Sequence, residues 1–165
     1  MKSRSGFIGA THAQRTLVRY WNGLATCGIV RRSSIDPGAV RSFLSNLSIL
    51  DVSNPSDPVF RLAGSRLIEI VGEQPRGRKL NSLAGPIVEA WSLGLDAVQE
   101  KAVPVGGVMS HGEALHAWVR LPLSGADGSI SQVLCHDELL TIAQFAECAV
   151  VDRPIVPKIA TAKVA

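Results

Sequence analysis

The residues that could do chemistry in this sequence are four histidines, three cysteines and a few neighbouring carboxylates. His116 and His136 fall in adjacent strand-like segments, and we expect them to share one face of a sheet. Two histidines on one face can begin a zinc site, but no third ligand stands at a metal-binding spacing. His111 and Glu113, which we place in a turn, also lack a third ligand. We therefore predict no metal site.

Catalysis also finds little support in the motifs. The chain contains Ser, His and Asp, but no GxSxG elbow, phosphate-binding loop or HExxH pair. Asp137 and Glu138 are adjacent, so in a strand they point to opposite faces and make a poor acid–base pair. The cysteines, at 27, 135 and 148, are widely spaced and form no CxxC, which argues against a disulfide framework. We predict that the protein is not an enzyme.

The composition is that of a folded protein with a real core. Of 165 residues, 46% are hydrophobic and 19% are charged. No run approaches the ~20 apolar residues that a membrane span needs. The opening stretch, MKSRSGFIGATHAQR, makes a poor secretory signal. We therefore expect one cytoplasmic domain without a membrane span.

The net charge of +3 is unevenly distributed. Residues 1–41 hold seven Lys or Arg against one acid, Asp36, which gives +6; the rest holds ten against thirteen, which gives −3. A basic segment could contact nucleic acid, an acidic partner or a membrane surface. Because no recognition motif is interleaved with these charges, we interpret the segment as a solvated helix face and predict no nucleic-acid partner.

The apolar pattern predicts helices before the first strands. Residues 11–25 form an amphipathic helix, and Ile35-Asp36-Pro37 is typical of a second helix start, with Asp36 capping the first turn. Residues 47–52 and 59–63 are strand-like and flank a polar turn, so they form a hairpin. Asp51 and Arg61 then face each other as a cross-strand ion pair.

The period changes from strand to helix at Gly64. We predict a short helix over residues 65–71, with Ser65 as its cap and Gly72 ending it in the left-handed conformation. A longer helix opens at Gly85-Pro86 and ends near Lys101. Its central Gly94 costs about 1 kcal/mol relative to alanine and is consistent with close packing.

Three further strands follow the long helix, at 103–110, 115–123 and 130–138, and the last two form a hairpin. Strands segregated from helices indicate an α+β fold with one antiparallel sheet and helices on one face. We divide the chain into an N-terminal helical extension (1–30), a central domain (31–140), and a short helix with a mobile tail (141–165).

Short motifs recur in order between about residues 17 and 138. They are Tyr20-Trp21, Ile35-Asp36-Pro37, Ile49-Leu50-Asp51-Val52, Phe60-Arg61-Leu62-Ala63-Gly64, Gly72, Gly77, Leu121-Pro122-Leu123 and Asp127-Gly128. In this order they resemble a PAS domain, and in particular a small family of single-PAS-domain proteins common in alphaproteobacteria. The resemblance implies a five-stranded sheet in the order 2-1-5-4-3 and a role in signal transduction as a sensor.

The resemblance also implies a ligand cavity between the long helix and the sheet. One register of the last hairpin pairs Leu121 with Val133 and Val119 with Cys135. The residues then facing the cavity are Ile87, Trp91, Leu95, Val119, Leu121, Val133 and Cys135. They either line a ligand pocket or simply fill the core. Haem-binding PAS domains carry a histidine on the long helix and flavin photosensors a motif resembling NCRFLQ; both are missing here, so both cofactors are disfavoured and the ligand is unknown.

The same register leaves an apolar outer face that the N-terminal helix could cover, within one chain or across a homodimer. The predicted interface residues are Leu17, Trp21, Leu24, Trp118, Leu134 and His136. We expect a sensory or regulatory module without an output domain, in which a ligand or partner alters the packing of the N-terminal helix and the signal passes by contact with another signalling protein. The alternative is a ligand-free interaction or scaffold domain.

Overall fold

The computed structural model describes residues 6–151, in which one antiparallel sheet has helices on both faces. The strands are β1 (Leu47–Asp51), β2 (Val59–Ala63), β3 (Val105–His111), β4 (Ala114–Ser124) and β5 (Ile130–Leu140), in the order β2-β1-β5-β4-β3. The helices are α1 (His12–Leu24), α2 (Leu67–Val71), α3 (Gly85–Lys101) and α4 (Ile142–Val151). The predicted α+β fold and strand order are confirmed. No helix among these residues is long and apolar enough to cross a membrane.

The first hairpin forms as predicted and leads directly into α2. The Arg61 Nη2 atom lies 3.2 Å from Asp51 Oδ2 across β1 and β2, and because both side chains reach solvent the pair contributes little stability. At Gly64 a Cβ atom would collide with the backbone carbonyls of Leu44 and Ser45. A larger residue is therefore excluded at the point where the chain turns from strand to helix.

The predicted cap of α2 is wrong, although the helix itself is present. Arg66, not Ser65, precedes its first residue, and no side chain caps it. Backbone carbonyls satisfy the first amides instead, since Arg66 N donates to Ser45 O at 2.8 Å. The helix ends at Gly72, whose φ of 85° is the left-handed conformation expected there.

The α-helix predicted to begin at Asp36 does not form. Asp36 Oδ1 accepts a hydrogen bond from the amide of Gly38 at 2.9 Å, which closes a tight local turn. A 3₁₀ helix, Arg41–Asn46, then leads into β1. Asp36 competes for a nearby amide rather than capping a helix, so its side chain starts a turn.

The sheet separates two apolar cores. The core under α3 contains Leu50, Val52, Phe60, Leu67, Ile70, Val71, Leu80, Leu83, Trp91, Leu95, Val98, Val105, Val133 and Cys135. The core under α1 contains Leu17, Val18, Trp21, Val30, Ile35, Val40, Leu47, Ile49, Val119, Leu121, Leu123 and Leu134. Helix α1 therefore covers the second face of the sheet within one chain.

The predicted register of the β4–β5 hairpin is wrong by one residue. Leu121 pairs with Leu134 and Val119 pairs with His136. The expected register holds only beside the turn, where Ser124 pairs with Ile130, and the pairing shifts between Leu123 and Ser124. Because side chains alternate along a strand, this bulge moves the whole apolar set of β4 to the opposite face.

Helix α4 follows β5 and accounts for the short helix that we predicted after residue 140. The tail expected after this helix lies within residues 152–165, which are outside the described part of the chain. The division of the chain at residues 30 and 140 stays a prediction.

Candidate functional site

A groove of about 710 Å³ lies between the first half of α3 and the far end of the β3–β4 hairpin. Trp91 and His116, which are almost completely buried, border it. Ile87 and Met109 add apolar surface, and Glu89, which is exposed, brings a carboxylate. This volume is within the range of small-molecule sites in proteins.

The structure divides the seven predicted pocket residues among three places. Ile87 and Trp91 border the groove. Leu95, Val133 and Cys135 pack in the core under α3. The remaining two residues, Val119 and Leu121, belong to the core under α1, so their predicted position beside α3 is wrong. The bulge that shifts the hairpin register is the physical reason.

Two charged side chains occupy the sheet beneath α3. Arg120 on β4 and Asp137 on β5 are both buried, and their guanidinium and carboxylate groups form two parallel bonds. Arg120 Nη1 lies 3.0 Å from Asp137 Oδ2, and Arg120 Nη2 lies 2.8 Å from Asp137 Oδ1. This paired geometry is the strongest form of an arginine–carboxylate interaction.

His116 connects this ion pair to the groove. Its Nε2 atom lies 2.7 Å from Asp137 Oδ1, and its side chain is 2% exposed. A carboxylate can only accept a hydrogen bond, so Nε2 carries the proton that is donated. Asp137 therefore fixes the orientation of the Nε2–H group, and the same imidazole ring borders the groove.

The surroundings hold the pair in its charged form. Burial alone would raise the pKa of Asp137, but the positive charge of Arg120 and the hydrogen bond from His116 outweigh it and lower the pKa. Burial would likewise lower the pKa of Arg120, and the charge of Asp137 reverses that effect and raises it. Nearby, burial raises the pKa of the Cys135 thiol to about 12, so this cysteine is protonated and inert.

Two tryptophans enclose the guanidinium of Arg120. Its central carbon lies 4.9 Å from the ring centroid of Trp91 and 5.3 Å from that of Trp118, within cation–π range. Helix α3 packs close to β4 at Gly94, because a Cβ atom there would lie 2.9 Å from Trp118 Cζ3. The large rings and the ion pair fill the centre of the space between α3 and the sheet, which leaves the groove at one end.

The other face of the sheet carries His136. The Gln14 amide nitrogen of α1 lies 3.4 Å from His136 Nδ1, and the ring of Phe43 meets the imidazole edge-on. Burial lowers the pKa of His136 to about 4, so the side chain is neutral near pH 7. His136 and Asp137 are consecutive in β5, so His136 faces α1 and Asp137 faces α3, where it forms the ion pair with Arg120.

The predicted interface residues lie mostly where α1 meets the sheet. Leu17, Trp21 and Leu134 are buried together there, and Leu24 is partly buried against them. Trp118 is the exception, because it packs under α3 against Trp91 and Arg120. The expectation that His116 and His136 share one face is also wrong, since they lie on opposite faces of the sheet.

The site lacks the parts of a nucleophilic catalyst. A histidine oriented by a carboxylate is the base of such a catalyst, but it needs a hydroxyl or thiol within hydrogen-bond reach. Among residues 6–151, the hydrogen bond of His116 goes to Asp137 alone. No group of three His, Cys, Asp or Glu in the same range could hold a metal ion.

The group formed by Arg120, Asp137 and His116 was not predicted from the sequence. A signal was present: Arg120 interrupts the apolar run Trp118–Leu123, and Asp137 follows the run Val133–Cys135. A charge inside an otherwise buried strand requires a buried partner of opposite sign. We considered Asp137 only as a poor catalytic partner of Glu138.

The strand order and the long helix α3 define a PAS fold. The sequence profile of the family described as PAS domain matches residues 10–132, which is 123 of the 165 residues. The chain therefore belongs to the PAS domain family. No curated protein matches the chain.

Several solved structures are similar to this chain. The light-state structure of the blue-light photoreceptor Aureochrome1 LOV is 15% identical, with 68% of this chain and 94% of that chain covered and a TM-score of 0.46. A sensory box sensor histidine kinase from Vibrio cholerae is 14% identical, with coverages of 62% and 90% and a TM-score of 0.47. A PAS domain from Colwellia psychrerythraea is 15% identical, with coverages of 64% and 98% and a TM-score of 0.42.

Proposed function

We propose that this protein is a sensory or regulatory PAS module whose groove beside α3 receives a small molecule. The observation that carries the proposal is the position of His116, which borders the groove and is hydrogen-bonded to the buried Arg120–Asp137 pair. An occupant that contacts His116 acts on a charged pair in a region of low dielectric, where small displacements have large electrostatic effects.

The route from the groove to the outside follows β5. Asp137 faces α3, and its neighbour His136 contacts Gln14 of α1. A shift of β5 at Asp137 therefore changes the contact between the sheet and α1. A ligand produces this response only if it binds one arrangement more tightly than the other. The signal then passes to another protein through the altered position of α1.

The role that we propose is regulatory rather than catalytic. We infer that the chain acts on another signalling protein by contact. A homodimer and a cytoplasmic location belong to the same proposal.

A ligand-free interaction or scaffold domain is the second candidate. The filled space beneath the centre of α3 favours it, because Trp91, Trp118 and Arg120 occupy the volume that a central ligand would need. In this case the groove is only a surface feature, and the protein acts through its folded surface alone.

A thermal-shift screen of small molecules separates these candidates. The variant Ala90→Trp fills the groove from α3, and Ala126→Trp adds the same side chain to the exposed β4–β5 turn as a control. A ligand present at 100 times its Kd should raise the Tm of the wild type and of Ala126→Trp by roughly 5–10 °C. It should have little effect on Ala90→Trp. If no compound distinguishes the wild type from Ala90→Trp, the scaffold function is the correct one.

A further inference from the structure

The groove beside α3 offers hydrogen-bond acceptors and negative charge. Glu89 and Asp96 stand two turns apart on α3, both are exposed and both border the groove. Neither carboxylate has an ion-pair partner within the residues that the structure describes. No Lys or Arg from that part of the chain lines the groove. Its potential therefore favours a cation over an anion.

His116 adds a further acceptor. Its Nε2 proton is donated to Asp137, and a neutral imidazole with a proton on Nε2 has a lone pair on Nδ1. Because Asp137 is already bonded to Arg120, the carboxylate fixes this tautomer firmly. The Nδ1 atom is then the acceptor for a hydrogen-bond donor on a bound molecule.

The apolar part of the groove suits a ring or a short hydrocarbon. Ile87, Met109 and Leu93 border it, and Leu93 is 59% exposed. Trp91 closes the inner side of the groove with a buried ring, and the buried polar side chain that borders the groove is His116, which is 2% exposed.

We propose that the groove binds a small organic amine: a protonated amine at the rim between Glu89 and Asp96, with an aromatic or aliphatic body against Trp91 and Met109. This inference rests on the proposed function of the groove and names the chemical class of its ligand. The carboxylates of Glu89 and Asp96 attract the cation, and its N–H groups are donors for the acceptor of His116.

Matched probes that differ only in charge test this class. Tryptamine, indole-3-ethanol and indole-3-acetate share one body and carry a cation, a neutral hydroxyl and an anion; phenethylamine, 2-phenylethanol and phenylacetate form a second set. Binding to the full chain is measured by calorimetry and by ligand-observed NMR. In each set we expect the amine to bind most tightly and the acid most weakly. Raising the salt concentration should weaken the amine and leave the alcohol unchanged.

Variants of the rim locate the charge. Glu89→Gln and Asp96→Asn should each weaken the amine about two- to fivefold and leave the alcohol unaffected. Glu100→Gln is the matched control, because Glu100 is exposed on the same helix outside the groove. Ala90→Trp should abolish binding of all members of both sets.

Each outcome decides one of the two claims. If the alcohol or the acid binds as tightly as the amine and Ala90→Trp blocks it, the groove is a binding site and the amine inference is wrong. If the amine binds equally to wild type, Glu89→Gln and Asp96→Asn, its charge is not read at this rim and the inference is wrong again. If no member of either set binds, the amine inference fails, and the screen with Ala90→Trp judges the groove separately.

Discussion

Asp137→Asn tests whether the buried ion pair holds the α3 face together. The substitution keeps the shape of the side chain but removes its charge. Arg120, whose side chain is 1% exposed, is then left as an unpaired buried cation. The variant weakens two charge-assisted bonds, of 2.8 and 3.0 Å, and the 2.7 Å bond from His116.

The expected cost is large because the charge that remains cannot reach water. Removing one partner of a buried ion pair typically costs about 3–5 kcal/mol. The free energy of unfolding of a domain is only about 5–15 kcal/mol, so Asp137→Asn removes a substantial part of it. Urea denaturation followed by tryptophan fluorescence measures the loss. Asp96→Asn, the same change on the exposed side of α3, should leave the transition almost unmoved.

A double variant separates the unpaired charge from the loss of contacts. Arg120→Met with Asp137→Leu removes both charges and retains apolar volume, at the cost of the hydrogen bond of His116. We expect it to lose only about 1–2 kcal/mol, less than Asp137→Asn. A loss of under about 1 kcal/mol in Asp137→Asn, or a double variant that is less stable than Asp137→Asn, would show that an unpaired buried charge is not the main cost.

Three further predictions concern other parts of the fold. The free energy of unfolding should fall by about 3 kcal/mol as the pH drops from 6.5 to 4, because the pKa of His136 is about 4 in the folded state and 6.5 in the unfolded chain. In His136→Gln, urea unfolding across that range should show a correspondingly smaller fall. A variant whose stability falls as steeply with pH as that of the wild type would contradict this. Gly94→Ala should destabilise the protein by about 1–2 kcal/mol, since its Cβ would lie 2.9 Å from a Trp118 ring carbon. Gly23→Ala in α1 has open space around it and should stabilise the protein by up to about 1 kcal/mol. Two effects of the same sign would be evidence against close packing at Gly94. Removal of residues 1–26 should uncover the apolar face under α1 and produce dye binding or self-association in light scattering; a dye-free monomer would argue against this packing.

The sequence predicted the fold well because the strongest signals were local. The periods of residues 11–25 and 85–101 gave α1 and α3, and the glycine at 64 correctly located the change from strand to helix. The order of short motifs gave the strand order through the family resemblance. The two helices and the turn at Gly64 depend on residues that are close together in the sequence, whereas the strand order does not.

The site was predicted less well because it depends on one bulge. The β4–β5 turn gives the register only at Ser124 and Ile130, and the shift after Leu123 reverses the faces of β4. This one-residue shift carried Val119 and Leu121 away from α3 and brought Trp118 and Arg120 to it. The ion pair could not be inferred in the wrong register, where Arg120 and Asp137 stand on opposite faces.

Hydrogen exchange of α1 is the most direct test of the account, because the central claim is that the groove and α1 communicate through β5. The amides of His12–Leu24 are measured in the wild type, with and without a groove ligand identified by thermal shift, and in Ala90→Trp with the same ligand. We predict that the ligand changes the exchange rates of α1 in the wild type and leaves those of Ala90→Trp unchanged. A response confined to α3 and the β3–β4 hairpin, with α1 unaffected, would contradict the account.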